Sequence, residues 1–151
     1  MPTTTTTYRN ILCPVDFSAP SRAALRAAAE LAVQFESRLT LLHVYQVPVL
    51  GYPEAGPGSP FRTSMAELAG RDLAEWKQEA ERLARRTVAT VCLEGVPWDR
   101  IAKYTQEHRP DLVVVGTHGH TGLMHVLIGS VAERVVRHAA CPVLVVRETQ
   151  P

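Results

Sequence analysis

The sequence DLVVVGTHGHTGLMHVLIGSVAERVV, residues 111–136, combines a buried strand, a glycine-rich loop and the start of a helix. Its apolar run, 112–115, precedes three closely spaced glycines: Gly116, Gly119 and Gly122. A second apolar patch ends at Gly129-Ser130, where a helical pattern begins. Such a loop offers backbone N–H groups and the positive end of a helix dipole, which suit phosphate oxygens. The stretch therefore predicts a phosphate-binding site.

The rest of the chain alternates between strand-like and helix-like segments. Short apolar or alternating runs predict five strands, at 10–16, 39–47, 87–93, 111–116 and 141–146. Helical periodicity predicts four helices: one that starts at Ser18-Ala-Pro20 and continues through SRAALRAAAELAVQFES, one at 65–86, one at 98–108 and one from Gly129 or Ser130 onward. This alternation predicts an α/β fold with an open parallel sheet and right-handed crossovers.

Two segments do not fit regular elements. Residues 48–64 contain four prolines and three glycines between Pro48 and Pro60, which predicts a flexible loop. The next helix would then begin after a cap at Thr63 or Ser64. Residues 1–8 predict a disordered lead, and the length of 151 residues predicts one domain over 1–151.

Composition narrows the partners and the location. The formal net charge of +1 favours neither nucleic acid nor a membrane surface as a partner. No apolar run reaches the roughly 18–20 residues of a membrane span, and a cytoplasmic location is the default expectation. The three cysteines are widely spaced and each adjoins an apolar run: Cys13, Cys92 and Cys141. This pattern favours buried, reduced thiols over a metal or redox site.

The carboxyl ends of two strands carry unusual chemistry. The first strand ends at Pro14-Val15-Asp16, and the fourth strand leads into Gly116. In an open α/β sheet, ligands bind outside the carboxyl ends of the strands, where the strand order reverses. Asp16 suits ribose hydroxyls, an adenine amino group or a metal ion near phosphates, and it could also be only a turn residue.

Several common sites are absent from the sequence. No lysine precedes Ser130, as Walker A requires, and no G-x-G-x-x-G follows the first strand. There is no G-x-S-x-G nucleophile motif and no C-x-x-C pair. The pattern H-x-H-x4-H could indicate a metal site and comprises His118, His120 and His125. No cysteine or carboxylate lies nearby to complete such a site, so solvent-facing or structural roles are favoured for these histidines.

These features together resemble the universal stress protein family. The nucleotide-binding branch of that family carries G-x2-G-x9-G-[ST], which here is Gly116, Gly119 and Gly129-Ser130, with the nine residues 120–128 between the last two glycines. The resemblance extends over nearly the whole chain, through ILCPVDFS, LLHV, a variable middle loop, DLVVVGTHG and CPVLVV.

The resemblance implies a five-stranded parallel sheet of order 3-2-1-4-5 with helices on both faces, a Rossmann-like three-layer sandwich. It also implies binding of ATP, or of ADP or AMP, with Mg²⁺ or Mn²⁺ bound to the nucleotide and Asp16 as the candidate protein contact of that metal ion. The implied nucleotide-binding residues are Pro14, Val15, Asp16, Val44, Val115, Gly116, Gly119, His120, Gly129, Ser130 and Val131. His120 stands where a basic residue is often found. The family also implies a homodimer through the last strand, 142–147, which is apolar until Arg147.

Three functions are compatible with this sequence. The first is a cytoplasmic, ATP-binding regulator of a stress response that acts on a further protein. The second is a slow ATPase or self-phosphorylating protein, modified for instance at Ser130, although no arginine or glutamine stands at a motif position to stabilise a phosphoryl-transfer transition state. The third is a nucleotide-independent interaction module that uses the 48–64 loop and the last strand.

Overall fold

The computed structural model describes residues 7–48, 56–118 and 128–149. Within them, strands and helices alternate: β1 (Asn10–Pro14), α1 (Ala19–Gln34), β2 (Arg38–Tyr45), α2 (Pro60–Ala84), β3 (Ala89–Glu94), α3 (Pro97–His108), β4 (Leu112–Gly116), α4 (Ser130–His138) and β5 (Val143–Val146). The strands form one parallel sheet in the order β3-β2-β1-β4-β5. The predicted α/β fold and strand order are therefore confirmed, and β1 and β4 are neighbours.

Each face of the sheet carries its own core because successive strand residues point to opposite sides. On β1, Ile11 and Cys13 pack towards α1 and α2, whereas Leu12 packs towards α3 and α4. Strand β4 follows the same rule, with Val114 on the first side and Val113 on the second. Strands β1 and β4 are thus covered by helices on both faces, as their continuous apolar runs predict.

The chain leading into β1 is ordered earlier than predicted. Tyr8, which falls in the predicted lead 1–8, places its ring edge-on against Phe35, and its carbonyl accepts a hydrogen bond from the Ser37 hydroxyl. Asp111 then caps the start of β1, since its Oδ2 accepts from the backbone N–H groups of Arg9 and Asn10 at 2.8 and 2.7 Å. Residues 1–6 lie outside the described part of the chain.

Helix α2 begins five residues before its predicted start, so the predicted loop 48–64 is wrong at its C-terminal end. Ser59 is the cap, and its hydroxyl accepts from the N–H of Arg62 at 3.2 Å. Pro60 suits the first helical position because its fixed φ matches the helix and its missing N–H is not needed there. The Arg62 guanidinium also pairs with Glu94 at 2.5 Å, which ties this first turn to the end of β3. Residues 49–55 lie outside the described ranges.

Two apolar stripes that helical spacing predicts are also corrected: Leu68, Leu73, Trp76, Ala80 and Leu83 in α2, and Val131, Val135, Val136 and Ala139 in α4. In α2 the buried residues are Ala69, Leu73, Trp76, Ala80 and Ala84, whereas Leu68 is 58% exposed. At 100° per residue, Leu68 lies about 120° from the centre of that buried face, so helical spacing alone did not place it in the core. In α4, Ala132 and Val135 are buried, while Val131 and Val136 are exposed.

The three thiols are free, with Cys13 fully buried and Cys92 and Cys141 partly buried. Burial raises the pKa of the Cys13 thiol from its usual 9.0 to about 12, so this thiol stays protonated at neutral pH. None of the described helices has the length and apolar character needed to cross a membrane.

Candidate functional site

A cavity of about 660 Å³ opens at the carboxyl ends of the strands, between β1 and β4. This volume is within the range of roughly 300–1,000 Å³ that small-molecule sites occupy. Its walls come from the β1–α1 loop, the end of β2, the first turns of α3 and α4, and the end of β4. The lining residues are Pro14, Val15, Asp16, Ser21, Leu42, His43, Val44, Tyr45, Gln46, Pro97, Ile101, Val115, Gly116, Thr117, His118, Ile128, Gly129, Ser130, Val131, Ala132 and Glu133.

The structure brings together all the described residues that the sequence predicted for the site. They are Pro14, Val15, Asp16, Val44, Val115, Gly116, Gly129, Ser130 and Val131, and each lines the cavity. The remaining two predicted residues, Gly119 and His120, lie outside the described residues, as does His125. Among the residues that the structure does describe, no group of three or more His, Cys, Asp or Glu side chains could hold a metal ion.

Asp16 lies in a hydrogen-bonded turn and lines the cavity. Its Oδ1 accepts hydrogen bonds from the backbone N–H of Ser18 at 3.0 Å and from the Ser18 hydroxyl. Its own N–H donates to the Ser21 hydroxyl at 3.0 Å. Ser18 is the N-cap of α1, as predicted, and its hydroxyl accepts from the N–H of Ser21. Asp16 therefore has a structural role in the turn in addition to its position at the cavity.

The residue after Asp16 has an unusual backbone conformation. Phe17 has φ of 66°, in the left-handed region that bulky residues rarely adopt. Its ring lies 4.3 Å from the His43 ring and 5.4 Å, edge-on, from the Trp76 ring, measured between centroids. His43 Nδ1 lies 2.7 Å from the carbonyl oxygen of Val15. His43, whose place on the apolar strand 39–47 predicts a core or pocket-edge residue, bonds the loop after β1.

Two glycines of the motif, Gly116 and Gly129, allow close packing of the chain's own backbone. A Cβ at Gly116 would lie 2.6 Å from the carbonyl oxygen of Pro20 and 3.1 Å from the nitrogen of Ser21, in the first turn of α1. A Cβ at Gly129 would lie 2.9 Å from the carbonyl oxygen of Thr117. Neither glycine has a positive φ. At both positions glycine is required by the close approach of neighbouring backbone and not by a positive φ.

Thr117 links the end of β4 to two other elements. Its N–H donates to the carbonyl of Val146 in β5 at 3.0 Å, and its carbonyl accepts from the N–H of Gly129, the N-cap of α4. The side chain is buried, and its hydroxyl lies 3.0 Å from His118 Nδ1. Sequence reasoning did not single out Thr117 as a site residue, although its position next to Gly116 was a usable signal.

The first turn of α4 faces the cavity with backbone donors. Gly129 provides no side-chain cap, and the N–H groups of the first helical residues, Ser130, Val131 and Ala132, have no partners within the helix. These donors and the helix dipole suit an anion. Glu133 follows in the same turn and pairs with Arg137 at 2.9 Å, so its negative charge is partly balanced on the helix surface.

Part of the cavity lining is apolar. Pro97 and Ile101, one turn apart on α3, line it together with Val44 and Val115. The sequence patterns predicted no site role for either residue of α3. Tyr45 adds a hydroxyl; burial, together with the nearby Glu94 carboxylate, raises its pKa, so it is neutral. A mostly apolar lining with a few polar groups suits an aromatic base.

The charges around the cavity are few. The described lining contains two carboxylates, Asp16 and Glu133, two histidines, His43 and His118, and neither lysine nor arginine. The sequence of residues 119–127, GHTGLMHVL, also contains no lysine or arginine. A polyphosphate bound here would depend on backbone N–H groups, hydroxyls and a divalent cation for neutralisation.

Comparison with known proteins identifies the family. A universal stress protein of Methanocaldococcus jannaschii is 37% identical over 142 residues, which cover 93% of this chain and 83% of that protein. The structure of universal stress protein UspA from Lactobacillus plantarum is similar with a TM-score of 0.84 and 30% identity, over 95% of this chain and 100% of that one. A universal stress protein family member from Arabidopsis thaliana, whose crystal structure is described with AMP bound, has a TM-score of 0.64 and 24% identity, over 93% of this chain and 92% of that one.

The model of the universal stress protein family matches residues 7–147, which include every strand and helix described above. The resemblance seen in the G-x2-G-x9-G-[ST] spacing is thereby confirmed, and the chain belongs to the universal stress protein family.

Proposed function

We propose that this chain binds ATP, together with Mg²⁺ or Mn²⁺, and acts in the cytoplasm as a nucleotide-dependent regulator of a stress response. The observation that carries the proposal is the meeting of two features in one cavity. The Asp16 turn after β1 and the start of α4, whose N-cap Gly129 has no capping side chain, both line it, and they approach each other because β1 and β4 are neighbours. An acceptor for a nucleoside and donors for phosphates are the two requirements of a nucleotide site.

Each part of the cavity suits one part of the nucleotide. The apolar residues Pro97, Ile101 and Val115 suit the adenine ring, and the backbone at Val44 would read its polar edge. The Asp16 carboxylate suits the ribose hydroxyls. The N–H groups at the start of α4 suit the phosphates, and a divalent cation would supply the positive charge that the lining lacks. Gly119 and His120 remain predicted phosphate-side residues.

The choice of an adenine nucleotide rests on this chain's own residues and on the family motif. The Arabidopsis thaliana protein described with AMP bound shares only 24% identity with this chain, so its similarity supports the fold alone and not the choice among adenine nucleotides. ADP and AMP should therefore be titrated in the same way as ATP.

Isothermal titration calorimetry tests the proposal directly. We expect wild-type protein to bind ATP with Mg²⁺ at micromolar concentration or below. Asp16→Asn keeps an oxygen for Ser18 but replaces the charged acceptor, so we expect at least about tenfold weaker binding, the usual effect of losing a hydrogen bond to a charged group. Asp72→Asn, an exposed position on α2, is the matched control and should bind like wild type. Wild-type protein that binds no nucleotide at millimolar concentration would overturn the proposal.

Regulatory binding is proposed ahead of turnover because the described lining contains no lysine or arginine to stabilise a phosphoryl-transfer transition state. A phosphate-release assay and mass spectrometry of protein incubated with ATP separate the two. Phosphate release or a phosphorylated chain in the wild type, lost in Ser130→Ala, would establish the enzymatic alternative.

We also propose a homodimer through the last strand, 142–147. In the described sheet β5 is an edge strand paired only with β4, and Leu144 is 41% exposed on it. An exposed apolar edge strand is normally covered by a partner. In sedimentation velocity we expect wild type to be a dimer and Leu144→Lys a monomer, while Thr90→Lys on the opposite edge strand β3 stays dimeric. A dimeric Leu144→Lys protein would refute this interface.

A further inference from the structure

One side chain, His43, contacts the residues on both sides of Asp16. Its Nδ1 lies 2.7 Å from the carbonyl oxygen of Val15, and its ring stacks at 4.3 Å, tilted by 37°, on the ring of Phe17. A carbonyl oxygen can only accept a hydrogen bond, so His43 Nδ1 carries the proton and donates. The same imidazole therefore holds the chain before and after the acidic residue of the site.

The Asp16 turn needs such support because Phe17 is strained. A bulky residue at φ of 66° is strained and persists only when its surroundings hold it. His43 packs on one side of the Phe17 ring, and Trp76 of α2 meets it edge-on at 5.4 Å. Trp76 is itself covered by the Arg22 guanidinium, 4.8 Å from its ring centroid. The loop after β1 is thus fixed between β2 and α2.

The hydrogen bond to Val15 has a second effect. Val15 is only 4% exposed, so without His43 its carbonyl would lose its partner in a largely water-free position. An unpaired buried carbonyl is unfavourable enough to make the chain shift until the group finds a partner. Because Asp16 is the next residue, that shift would displace its carboxylate relative to the cavity.

We propose that His43 is a positioning residue for nucleotide binding: it clamps Val15 and Phe17 and thereby fixes Asp16 at the cavity. The inference rests on the proposed function, since Asp16 is the residue through which His43 acts. His43 lines the cavity, and the contribution proposed for it runs through the loop that carries Asp16. That contribution should consequently shrink when the Asp16 carboxylate is replaced by a neutral side chain.

Three variants separate the donor from the ring. His43→Phe keeps a ring for Phe17 but removes the donor, His43→Asn keeps an N–H donor near the position of Nδ1 but removes the ring, and His43→Ala removes both. Calorimetry with ATP and Mg²⁺ should give about tenfold weaker binding for His43→Phe and His43→Ala, and binding within about threefold of wild type for His43→Asn. Equal affinity of all three variants and wild type would overturn the positioning role. Where the phenylalanine variant does not fold, the Asn and Ala pair decides.

A double-mutant cycle tests whether His43 acts through Asp16. In an Asp16→Asn background, His43→Phe should weaken ATP binding by less than about twofold, because coupled residues are not additive. Independent, multiplying losses would overturn the inference. A readout without nucleotide separates its failure from that of the proposed function: at pH 9, a ¹⁵N spectrum of the free protein should show His43 Nδ1 protonated. An unprotonated Nδ1 would refute the clamp, whereas a wild type that shows the clamp but binds no nucleotide would refute the proposed function and with it the role in binding.

Discussion

Replacing Gly116 with alanine would place a methyl group in space that the first turn of α1 already occupies. The added Cβ would lie 2.6 Å from the carbonyl oxygen of Pro20 and 2.7 Å from its carbonyl carbon. Both are backbone atoms of a helix start and cannot rotate away. The same substitution at Gly70, inside α2, meets nothing within 4 Å and needs no unusual backbone angle. The two variants therefore make the same chemical change in opposite surroundings.

The geometry sets the size and sign of each effect. Ordinary van der Waals contact begins at 3.4 Å, so β4 and α1 must separate by about 0.8 Å in Gly116→Ala. Forcing an extra methyl group into a packed interior costs about 1–3 kcal/mol, which lowers Tm by roughly 2–12 °C in a chain of this length. Gly70→Ala should instead raise the free energy of unfolding by about 0.5–1 kcal/mol, because glycine is a poor residue in a helix interior.

Urea unfolding followed by circular dichroism measures both variants. Gly116→Ala should also weaken ATP binding, because the turn that it displaces contains Ser21, whose hydroxyl accepts the N–H of Asp16. Gly70→Ala should bind ATP like wild type. A Gly116→Ala protein as stable as wild type would show that close approach to α1 is not what requires glycine at this position.

Three further predictions use the same unfolding measurement. Leu73→Ala should lower the free energy of unfolding by about 2–5 kcal/mol because Leu73 is buried in α2, whereas Leu68→Ala should change it by less than about 0.5 kcal/mol. Equal losses would show that Leu68 contributes to the core as Leu73 does. Ser59→Ala removes the N-cap of α2 and should cost about 1 kcal/mol, and no loss would argue that the helix starts later. Burial raises the pKa of Cys13 from 9.0 to about 12, so the folded protein keeps a proton that the unfolded chain loses above pH 9. The stability is complete below pH 9 and falls as pH approaches 12; between pH 8 and pH 10 wild type should lose about 1 kcal/mol more than Cys13→Val, and parallel losses would contradict this burial effect.

Local periodicity was sufficient to predict the alternation of elements but not their order in the sheet. Each buried strand is a short apolar run such as 112–115, and each helix carries apolar residues at helical spacing, so the element types could be read from the sequence. Strand order depends on contacts between distant segments, such as the pairing of Ile11 with Leu112. No local pattern records that contact, and the order was available only through the resemblance to a family.

The errors arose where one local signal outweighed another. Prolines and glycines in 48–64 suggested a loop, yet Ser59-Pro60 is also a favourable helix start, and the tie of Arg62 to Glu94 supports that start from a distant strand. Leu68 was placed in a buried stripe because it is apolar, although its angular position faces away from the core. Apolar character alone does not bury a residue when no element covers that side of the helix.

Some residues of the candidate site have a local sequence signal, and others are placed there only by packing. Asp16 and Gly129-Ser130 stood out because an acid after a strand and a glycine before a helix have few local explanations. Pro97 and Ile101 also line the cavity but carry no chemical signature, since their place there follows from the packing of α3 beside α4. His43 could be recognised as a pocket-edge residue, but its hold on both neighbours of Asp16 depends on the distance between β2 and the loop after β1.

Thr117 has a consequence for how assembly and ligand binding relate. Its N–H is bonded to edge strand β5, and its carbonyl is bonded to the cap of α4, so one residue joins the two regions proposed for a partner subunit and for phosphates. A partner that shifts β5 and a ligand that draws α4 inward would each act on the same backbone segment. Any free-energy coupling between the two is reciprocal: if the nucleotide tightens the dimer by some factor, dimerisation tightens nucleotide binding by the same factor. The dimer dissociation constant measured with and without nucleotide would give that factor directly.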